Sequence, residues 1–146
     1  MADGVREDDG AGARIRYLNP EGLHPTPGYH HVTVVREGPT AHLAGQCPLD
    51  SGGTLVGAGS YEAQTDQVVA NSMTALRAVD ARPEDVVRSV IYVVSDVSEE
   101  LAEVWRRLTA SPLGPAFRSA STLLGVARLG FPGQLVELDL TVRLPD

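Results

Sequence analysis

The chain contains no lysine, and this absence excludes several kinds of chemistry. All 12 of its basic residues are arginines, so it has no Schiff-base lysine, no P-loop lysine and no lysine to anchor pyridoxal phosphate. Exclusive use of arginine is typical of a GC-rich bacterial genome. With 19 acidic residues the formal net charge is -7, which opposes binding to nucleic acid or to an anionic membrane.

Cysteine and long apolar runs are also scarce. Cys47 is the single cysteine, so no disulfide can form within the chain. No stretch approaches the roughly 20 consecutive apolar residues of a membrane helix. The start, Met1-Ala2-Asp3-Gly4, lacks the basic segment and apolar run of a secretory signal. We therefore expect a cytoplasmic protein without membrane contact.

The length and composition fit one globular domain. The 146 residues are 42% hydrophobic and 21% charged, which is close to the average for folded proteins. The segment from Ala2 to about Gly12 is acidic, glycine-rich and nearly free of apolar side chains, so it cannot offset the entropy of ordering. We expect residues 1–16 to form a flexible tail and residues 17–146 to form a single domain.

The first part of the domain indicates short strands joined by turns. Prolines and glycines between Tyr17 and Tyr29 favour an extended loop. Residues 32–35 and 41–44 are predicted as two short strands, with residues 36–40 as the hairpin connection between them. The Asp-Ser-Gly-Gly sequence at residues 50–53 predicts a second turn.

Two helices are predicted to alternate with strands in the rest of the chain. Ser60 is expected to cap a helix that runs to about Val79, and Ser98 a second helix that ends before Pro112. Each helix has one apolar stripe; the stripes comprise Val69, Met73 and Leu76, and then Leu101, Val104, Trp105 and Leu108. Strands are predicted over residues 86–94, 122–129 and 135–144.

The last predicted strand alternates cleanly between apolar and polar residues. Leu138, Leu140, Val142 and Leu144 share one face, and Glu137, Asp139, Thr141 and Arg143 share the other. The order of elements predicts an α+β fold, a mixed β-sheet with two helices packed on one face. The other face carries few large side chains and an acidic pair, so oligomerisation is a natural way to bury it.

Several short motifs in collinear order carry a resemblance to a known family. They are Gly45-Gln46-Cys47-Pro48-Leu49-Asp50, Glu62-Ala63-Gln64-Thr65, Pro83-Glu84-Asp85-Val86-Val87, Val93-Val94-Ser95-Asp96, Gly125-Val126-Ala127-Arg128-Leu129 and Val136-Glu137-Leu138-Asp139. From about Tyr29 onward the chain resembles the RidA/YjgF family. The resemblance implies a chorismate mutase-like fold and a homotrimer with small-molecule pockets between subunits. It also implies hydrolysis of reactive enamines and imines, such as 2-aminoacrylate, to the 2-oxo acid and ammonia without a cofactor.

The resemblance also implies roles for individual residues. Glu137 matches the acidic residue that positions or activates the hydrolytic water, with a solvated strand carboxylate as the alternative. Gly45 matches a glycine whose backbone N–H helps to hold the ligand, although a glycine in a strand is also commonly a bulge or a close-packing site. Tyr29 matches a pocket tyrosine, at a slightly longer spacing from Gly45 than usual.

Ser121 stands where typical members have an arginine that binds the substrate carboxylate. A serine hydroxyl replaces neither the charge nor the fork geometry of a guanidinium, so ordinary 2-aminoacrylate deamination is not expected. Ser121 either donates a hydrogen bond to a neutral carbonyl or hydroxyl, or caps the strand. Arg118 is a substitute only if the strand register slips by three residues, which would reverse the face that its side chain occupies.

Cys47 and the histidines are weaker candidates. Alternation places the side-chain position of Cys47 on the same face as that of Gly45, toward the pocket. Nothing in the sequence places a base beside Cys47, so a small buried thiol is favoured over a nucleophile. His30, His31 and His42 have no carboxylate or cysteine at a recognisable ligand spacing, so loop histidines are favoured and no metal is expected.

Two classes of function stay open from the sequence. The first is a homotrimeric enzyme that acts on a small carbonyl, enamine or imine by hydrolysis or proton transfer. Glu137 would be its acid–base group, the Gly45 N–H and the Ser121 hydroxyl would polarise the substrate, and Tyr29 would close the pocket. The second is a catalytically silent small-molecule-binding or regulatory trimer. A ribonuclease, an older assignment for this family, is opposed by the acidic charge and by the lack of a basic aromatic stripe.

Overall fold

The computed structural model describes residues 12–146, which form six strands and two α-helices. The strands are β1 Ile15–Leu18, β2 Val32–Val35, β3 Thr40–His42, β4 Val86–Val94, β5 Ala120–Val126 and β6 Val136–Arg143. The helices are α1 Tyr61–Arg77 and α2 Ser98–Ala110, and short 3₁₀ helices span Pro83–Asp85 and Gly114–Arg118. None of the helices in this part of the chain is both long enough and apolar enough to cross a membrane.

Four of the strands form one mixed sheet in the order β3-β6-β4-β5. Strands β4 and β5 run parallel, whereas β6 is antiparallel to both of its neighbours. The apolar face of β6 packs in one core with both helices; this core includes Leu138, Leu140, Val142, Val68, Leu76, Val104 and Leu108. The predicted α+β fold, with a mixed sheet and two helices on one face, is confirmed.

Helix α1 begins where its cap was predicted. The Ser60 hydroxyl accepts a hydrogen bond from the Ala63 backbone N–H at 3.1 Å, which satisfies one of the free N–H groups of the first turn. The helix ends at Arg77, two residues before Val79. Strand β4 has the predicted bounds.

The predicted cap of helix α2 is wrong by one residue. Val97 is the cap and Ser98 is the first helical residue, and no side chain of the cap bonds to the helix. The Ser95 hydroxyl lies just upstream, where it accepts a hydrogen bond from the Val97 N–H at 2.9 Å and donates one to Glu100. The apolar stripe of α2 is confirmed, since Val104 and Leu108 are buried and Leu101 and Trp105 pack against the core.

The predicted hairpin of residues 32–44 is wrong. Strand β2 pairs antiparallel with β1 in a separate two-stranded sheet, whereas β3 pairs with β6, so residues 36–39 connect two sheets. Strand β1, which was not predicted, is therefore the partner of β2. Its side chains Ile15 and Tyr17 are buried, and this burial stabilises the strand. Ile15 and Arg16, expected within the tail of residues 1–16, are therefore ordered; residues 1–11 of that tail lie outside the described residues.

The last two strands lie close to their predicted positions. Strand β5 begins two residues before the predicted start and ends three before the predicted end, and β6 is one residue shorter at each end. Arg143, at the end of the face predicted to be polar, is buried, with only 2% of its surface exposed. Its guanidinium donates a hydrogen bond to the Glu37 carbonyl at 2.7 Å, beneath the segment that links the two sheets.

Candidate functional site

Glu137 lies on the face of the sheet that the helices leave open. It is directly opposite Tyr92 of β4, and it alternates along β6 with the buried residues Val136 and Leu138. Its side chain is half-buried. The open face also carries the apolar residues Val90, Tyr92, Leu124 and Val126.

Two side chains donate hydrogen bonds to the same oxygen of Glu137. The Cys47 Sγ lies 3.0 Å from Oε1, and the Gln134 Nε2 lies 3.2 Å from it. Gln134 is buried, and its Oε1 accepts a hydrogen bond from the Phe131 N–H, which fixes the orientation of the amide. The carboxylate is therefore held through Oε1, and Oε2 is its other acceptor.

Gly45 forms a β-bulge against Glu137. The Leu43 N–H bonds to the Leu140 carbonyl, and the Gln46 N–H bonds to the Leu138 carbonyl. The segment 43–46 therefore advances by three residues while β6 advances by two, which leaves one extra residue as a bulge. A Cβ at Gly45 would lie 2.8 Å from Oε2 of Glu137. The structural alternatives for this glycine, a bulge and a close-packing site, thus both apply. Among the described residues, its N–H has no acceptor.

Cys47 contacts Glu137 from the same side as Gly45, as the alternation predicted. Burial, the hydrogen bond to Glu137 and the negative charge of Glu137, in that order of size, together raise the pKa of the Cys47 thiol to about 11. A thiol with this pKa is protonated at neutral pH. The structure therefore agrees with an unreactive thiol, which acts here as a hydrogen-bond donor.

Ser121 does not join Glu137 within one chain. It pairs with Ser89, which pairs with Leu140 on the helix-covered face, so Ser121 and Glu137 lie on opposite faces and two strands apart. The Ser121 hydroxyl accepts a hydrogen bond from Ser89 at 2.6 Å and donates to the Ser119 carbonyl at 3.0 Å. Ser121 is the second residue of β5, which begins at Ala120, and in this arrangement its hydroxyl donates within the chain.

Arg118 lies beside Tyr17 and His30, away from Glu137. The β4–β5 register runs without an internal shift from Arg88 opposite Ala120 to the strand end, and Arg118 lies before it, at the end of the 3₁₀ helix Gly114–Arg118. The Arg118 guanidinium lies over the Tyr17 ring, 4.8 Å from its centroid, and the Arg118 carbonyl accepts a hydrogen bond from the His30 N–H at 3.0 Å.

Tyr29 belongs to an aromatic cluster on α2, away from Glu137. Its hydroxyl is 3.1 Å from His24 Nε2, and its ring packs edge-on against Trp105 and His31. In the described part of the chain Tyr29 makes no hydrogen bond or ring contact with Glu137. The predicted site residues therefore form two groups, with Glu137, Gly45 and Cys47 in one, and Tyr29, Arg118 and Ser121 outside it.

The remaining histidines and acids do not form a metal site within residues 12–146. No three His, Cys, Asp or Glu side chains there group closely enough to hold a metal ion. His30 Nδ1 is 2.6 Å from the Arg118 carbonyl, His31 Nε2 is 2.9 Å from the His24 carbonyl, and His42 lies in β3 opposite Thr141.

Sequence reasoning missed Gln134 and Tyr92. Gln134 lies in an irregular turn, where no periodicity indicates which way a side chain points. Tyr92 lies in the β-branched run that is predicted as a strand, with no face assigned to its side chains. Alternation along β4 identifies it, because Ile91 and Val93 are buried and Tyr92 is not.

Comparison with known proteins identifies the family. A family model described as Endoribonuclease L-PSP matches residues 22–144. Among solved structures, the Rid-family protein YyfB from Yersinia pestis, described as of unknown function, is 34% identical with a TM-score of 0.80, covering 90% of this chain and 100% of its own. A putative endoribonuclease from Thermotoga maritima is 25% identical with a TM-score of 0.58, covering 100% of both chains.

A third solved relative has the same fold. It is a member of the YjgF/YER057c/UK114 family from Mycobacterium tuberculosis, 28% identical with a TM-score of 0.55, covering 81% of this chain and 88% of its own. No curated protein matches significantly. The family model matches residues 22–144, which is most of the chain, and the YyfB structure matches 90% of it. The chain therefore belongs to the RidA/YjgF family.

Proposed function

We propose that this protein hydrolyses a small imine or enamine without a cofactor, with Glu137 as the base that activates water. The observation that carries the proposal is the arrangement of the Glu137 carboxylate. Cys47 and Gln134 both donate to Oε1, while Oε2 faces the bulge at Gly45. A carboxylate fixed through one oxygen presents the other in a defined direction, as a general base requires.

The reaction needs only proton transfer. Glu137 accepts a proton from water as the water oxygen bonds to the imine carbon, and the C=N double bond becomes a C–N single bond. The carboxylic acid then returns that proton to the nitrogen. Collapse of the carbinolamine breaks the C–N bond, releases ammonia and leaves a carbonyl product. The net change is addition of one water and loss of one ammonia.

The pocket for this reaction is proposed to lie between copies of the chain in a homotrimer. The open face around Glu137 carries Val90, Leu124 and Val126, and Leu124 is 38% exposed. Contact between copies would bury these side chains. It would also give Glu137 of one copy access to the Tyr29 region of the next, which one chain does not provide.

A silent binding protein is the second candidate. It is favoured by the arrangement of Ser121, whose hydroxyl donates to the Ser119 carbonyl and accepts from Ser89, both within the chain. A binder that has lost the carboxylate anchor would keep the pocket and the Glu137 arrangement without accelerating hydrolysis.

RNA cleavage is not proposed, although the matching family model is described as an endoribonuclease. The formal net charge is -7, and phosphate backbones are bound chiefly by cationic side chains. Retention of labelled RNA on a filter at low salt tests this conclusion, because electrostatic binding is strongest there.

The test of the proposed function uses imines generated in solution from benzylamine by an amine oxidase and trapped competitively by semicarbazide. The wild-type protein should hydrolyse part of the imine before semicarbazide reacts with it. Glu137→Gln should lose about 100-fold or more of this activity, because an amide cannot accept the proton. Asp139→Asn, on the same face of β6, is the matched control and should stay within about twofold of wild type. Equal activity of wild type and Glu137→Gln would contradict the proposal, and saturable benzamide binding without hydrolysis would identify the silent binder.

A further inference from the structure

A cleft beside Glu137 has the character of a binding site for an apolar group. It lies between the segment of residues 45–51 and one side of helix α1, and its volume is about 790 Å³. Gly45 and Cys47 line it; the Cys47 thiol bonds to the Glu137 carboxylate, and a Cβ at Gly45 would meet that carboxylate. A ligand in the cleft therefore lies next to the proposed base.

The two amide side chains of helix α1 in the cleft, Gln67 and Asn71, are already occupied by internal hydrogen bonds. Asn71 Nδ2 donates to the carbonyls of Cys47 and Leu49 at 2.9 and 2.8 Å. Gln67 Nε2 donates to Asn71 Oδ1 at 2.9 Å and to the Leu49 carbonyl at 3.3 Å. These bonds fix the wall of the cleft before any ligand arrives, and they leave few donors for a polar ligand.

The remaining surface is largely apolar. Leu49 and Phe131 line the cleft, and Phe131 is 46% exposed, which is unusual for a large aromatic side chain. The α1 side presents the small residues Ala70 and Ala75, so the floor stays open. A flat or branched hydrocarbon group fits such a surface, since its burial removes apolar area from water.

The charge of the cleft opposes an anionic ligand. Among the described residues, neither arginine nor histidine lines it, and its one charged side chain is the carboxylate of Asp50. Asp50 Oδ1 accepts hydrogen bonds from the N–H groups of Gly52 and Thr54 at 2.9 Å, which forms the predicted turn and keeps the carboxylate in place. Within the lining, a substrate carboxylate would meet the charge of Asp50 and no cation, and the Arg77 guanidinium outside it is bonded to the hydroxyl of Thr74 at 3.0 Å.

We infer that the substrate is an imine without a carboxylate, formed from an amine, and that its alkyl or aryl group occupies this cleft. The inference rests on the proposed function and specifies its substrate class. The reaction is R–CH=NH plus water giving R–CHO and ammonia, which balances without any oxidant or reductant. It also explains why Ser121 stands where typical family members have an arginine, because such a substrate has no carboxylate to bind.

Binding tests the cleft independently of catalysis. Benzamide and benzoate have the same ring and nearly the same size, but only benzoate is charged at neutral pH. Titration followed by NMR should show benzamide bound at least about tenfold more tightly than benzoate. Ala70→Trp should fill the cleft and weaken benzamide binding by about tenfold or more, whereas Ala102→Trp, an exposed alanine of α2, should leave it unchanged.

Hydrolysis tests the substrate class. The imine from benzylamine and the 2-imino acid from phenylalanine carry the same ring, and kcat/KM should be at least about tenfold higher for the first. Ala70→Trp should lower this value, and Ala102→Trp should not. Preference for the 2-imino acid, or an unchanged Ala70→Trp enzyme, would overturn the inference while leaving Glu137-dependent hydrolysis intact. Selective benzamide binding without any hydrolysis would instead overturn the proposed function and retain the cleft.

Discussion

The Cys47 thiol donates a hydrogen bond of 3.0 Å to Oε1 of Glu137, although the two residues are 90 positions apart in the chain. The bulge at Gly45 and the pairing of Gln46 with Leu138 bring the thiol to this position. The contact has consequences for both partners. It keeps the thiol protonated, and it fixes the carboxylate that we propose as the base.

The first prediction concerns the reactivity of Cys47. With its pKa raised from 9.0 to about 11, the native thiol should contain about 100-fold less thiolate at pH 8 than an ordinary cysteine. Alkylation by iodoacetamide should therefore be slow at pH 8 and should increase with pH until about 11. The unfolded protein in urea should react at the rate of an ordinary thiol. Mass spectrometry of the modified chain measures both rates.

Variants separate the causes of this pKa shift. Glu137→Gln should speed the alkylation of Cys47, because it removes the carboxylate charge and its hydrogen bond, both of which raise the pKa. The rate should remain below that of the unfolded chain, since burial still acts. Asp139→Asn should leave the rate unchanged. A native thiol that reacts as fast as the unfolded one would show that Cys47 does not bond to Glu137.

The second prediction concerns the bulge. Gly45→Ala would place a Cβ at 2.8 Å from Oε2 of Glu137, and the carboxylate, at the end of a flexible side chain, can turn away. We expect a loss of about tenfold or more in kcat/KM for the benzylamine-derived imine, with a change of less than about 1 kcal/mol in the free energy of unfolding. Gly130→Ala is the control, because nothing lies within 4 Å of its Cβ. If Gly45→Ala and Gly130→Ala were equally active, the close approach of Gly45 to Glu137 would be contradicted.

The sequence was most informative where a regular pattern extended over a whole element. Strand β4 has the predicted bounds because its apolar run is terminated by Pro83 and by Ser95. The alternation of β6 placed Glu137 on the open face opposite Leu138, and the structure agrees. The pairing of β2 with β1 could not be predicted in this way, because the partner is a four-residue strand whose first two residues lie in the predicted tail.

The site was less predictable because its geometry depends on distant contacts. Glu137, Gly45 and Cys47 were each identified, but alignment with a family could not show that Ser121 and Glu137 lie on opposite faces. That relationship depends on the registers of two strand pairs, both involving β4. Gln134 could not be found at all, because its contact with Glu137 is determined by an irregular turn.

The third prediction concerns the ion pair of Arg14 and Asp85. The Asp85 side chain is fully buried and bonds to Arg14, whose side chain is 27% exposed, so the pair joins the start of the described chain to the turn before β4. Arg14→Ala should destabilise the protein by about 3 kcal/mol in urea unfolding, because it leaves a buried carboxylate without its cation. Arg106→Ala, which removes an exposed pair with Glu103, should unfold like wild type. Equal stability of the two variants would contradict the structural role of Arg14.

The fourth prediction concerns assembly through the open face. Three chains of 15.5 kDa should give a particle of about 47 kDa by light scattering at micromolar concentration. Leu124→Arg should dissociate it, because a guanidinium in an apolar contact loses its hydration without gaining a partner. Val97→Arg replaces an apolar side chain of similar exposure, 42% against 38%, next to α2 and should leave the mass unchanged. Imine hydrolysis should be lost with the trimer in Leu124→Arg, since Glu137 would then lack the neighbouring copy. A wild-type monomer that is fully active would contradict the pocket between copies, and the site would have to be complete within one chain.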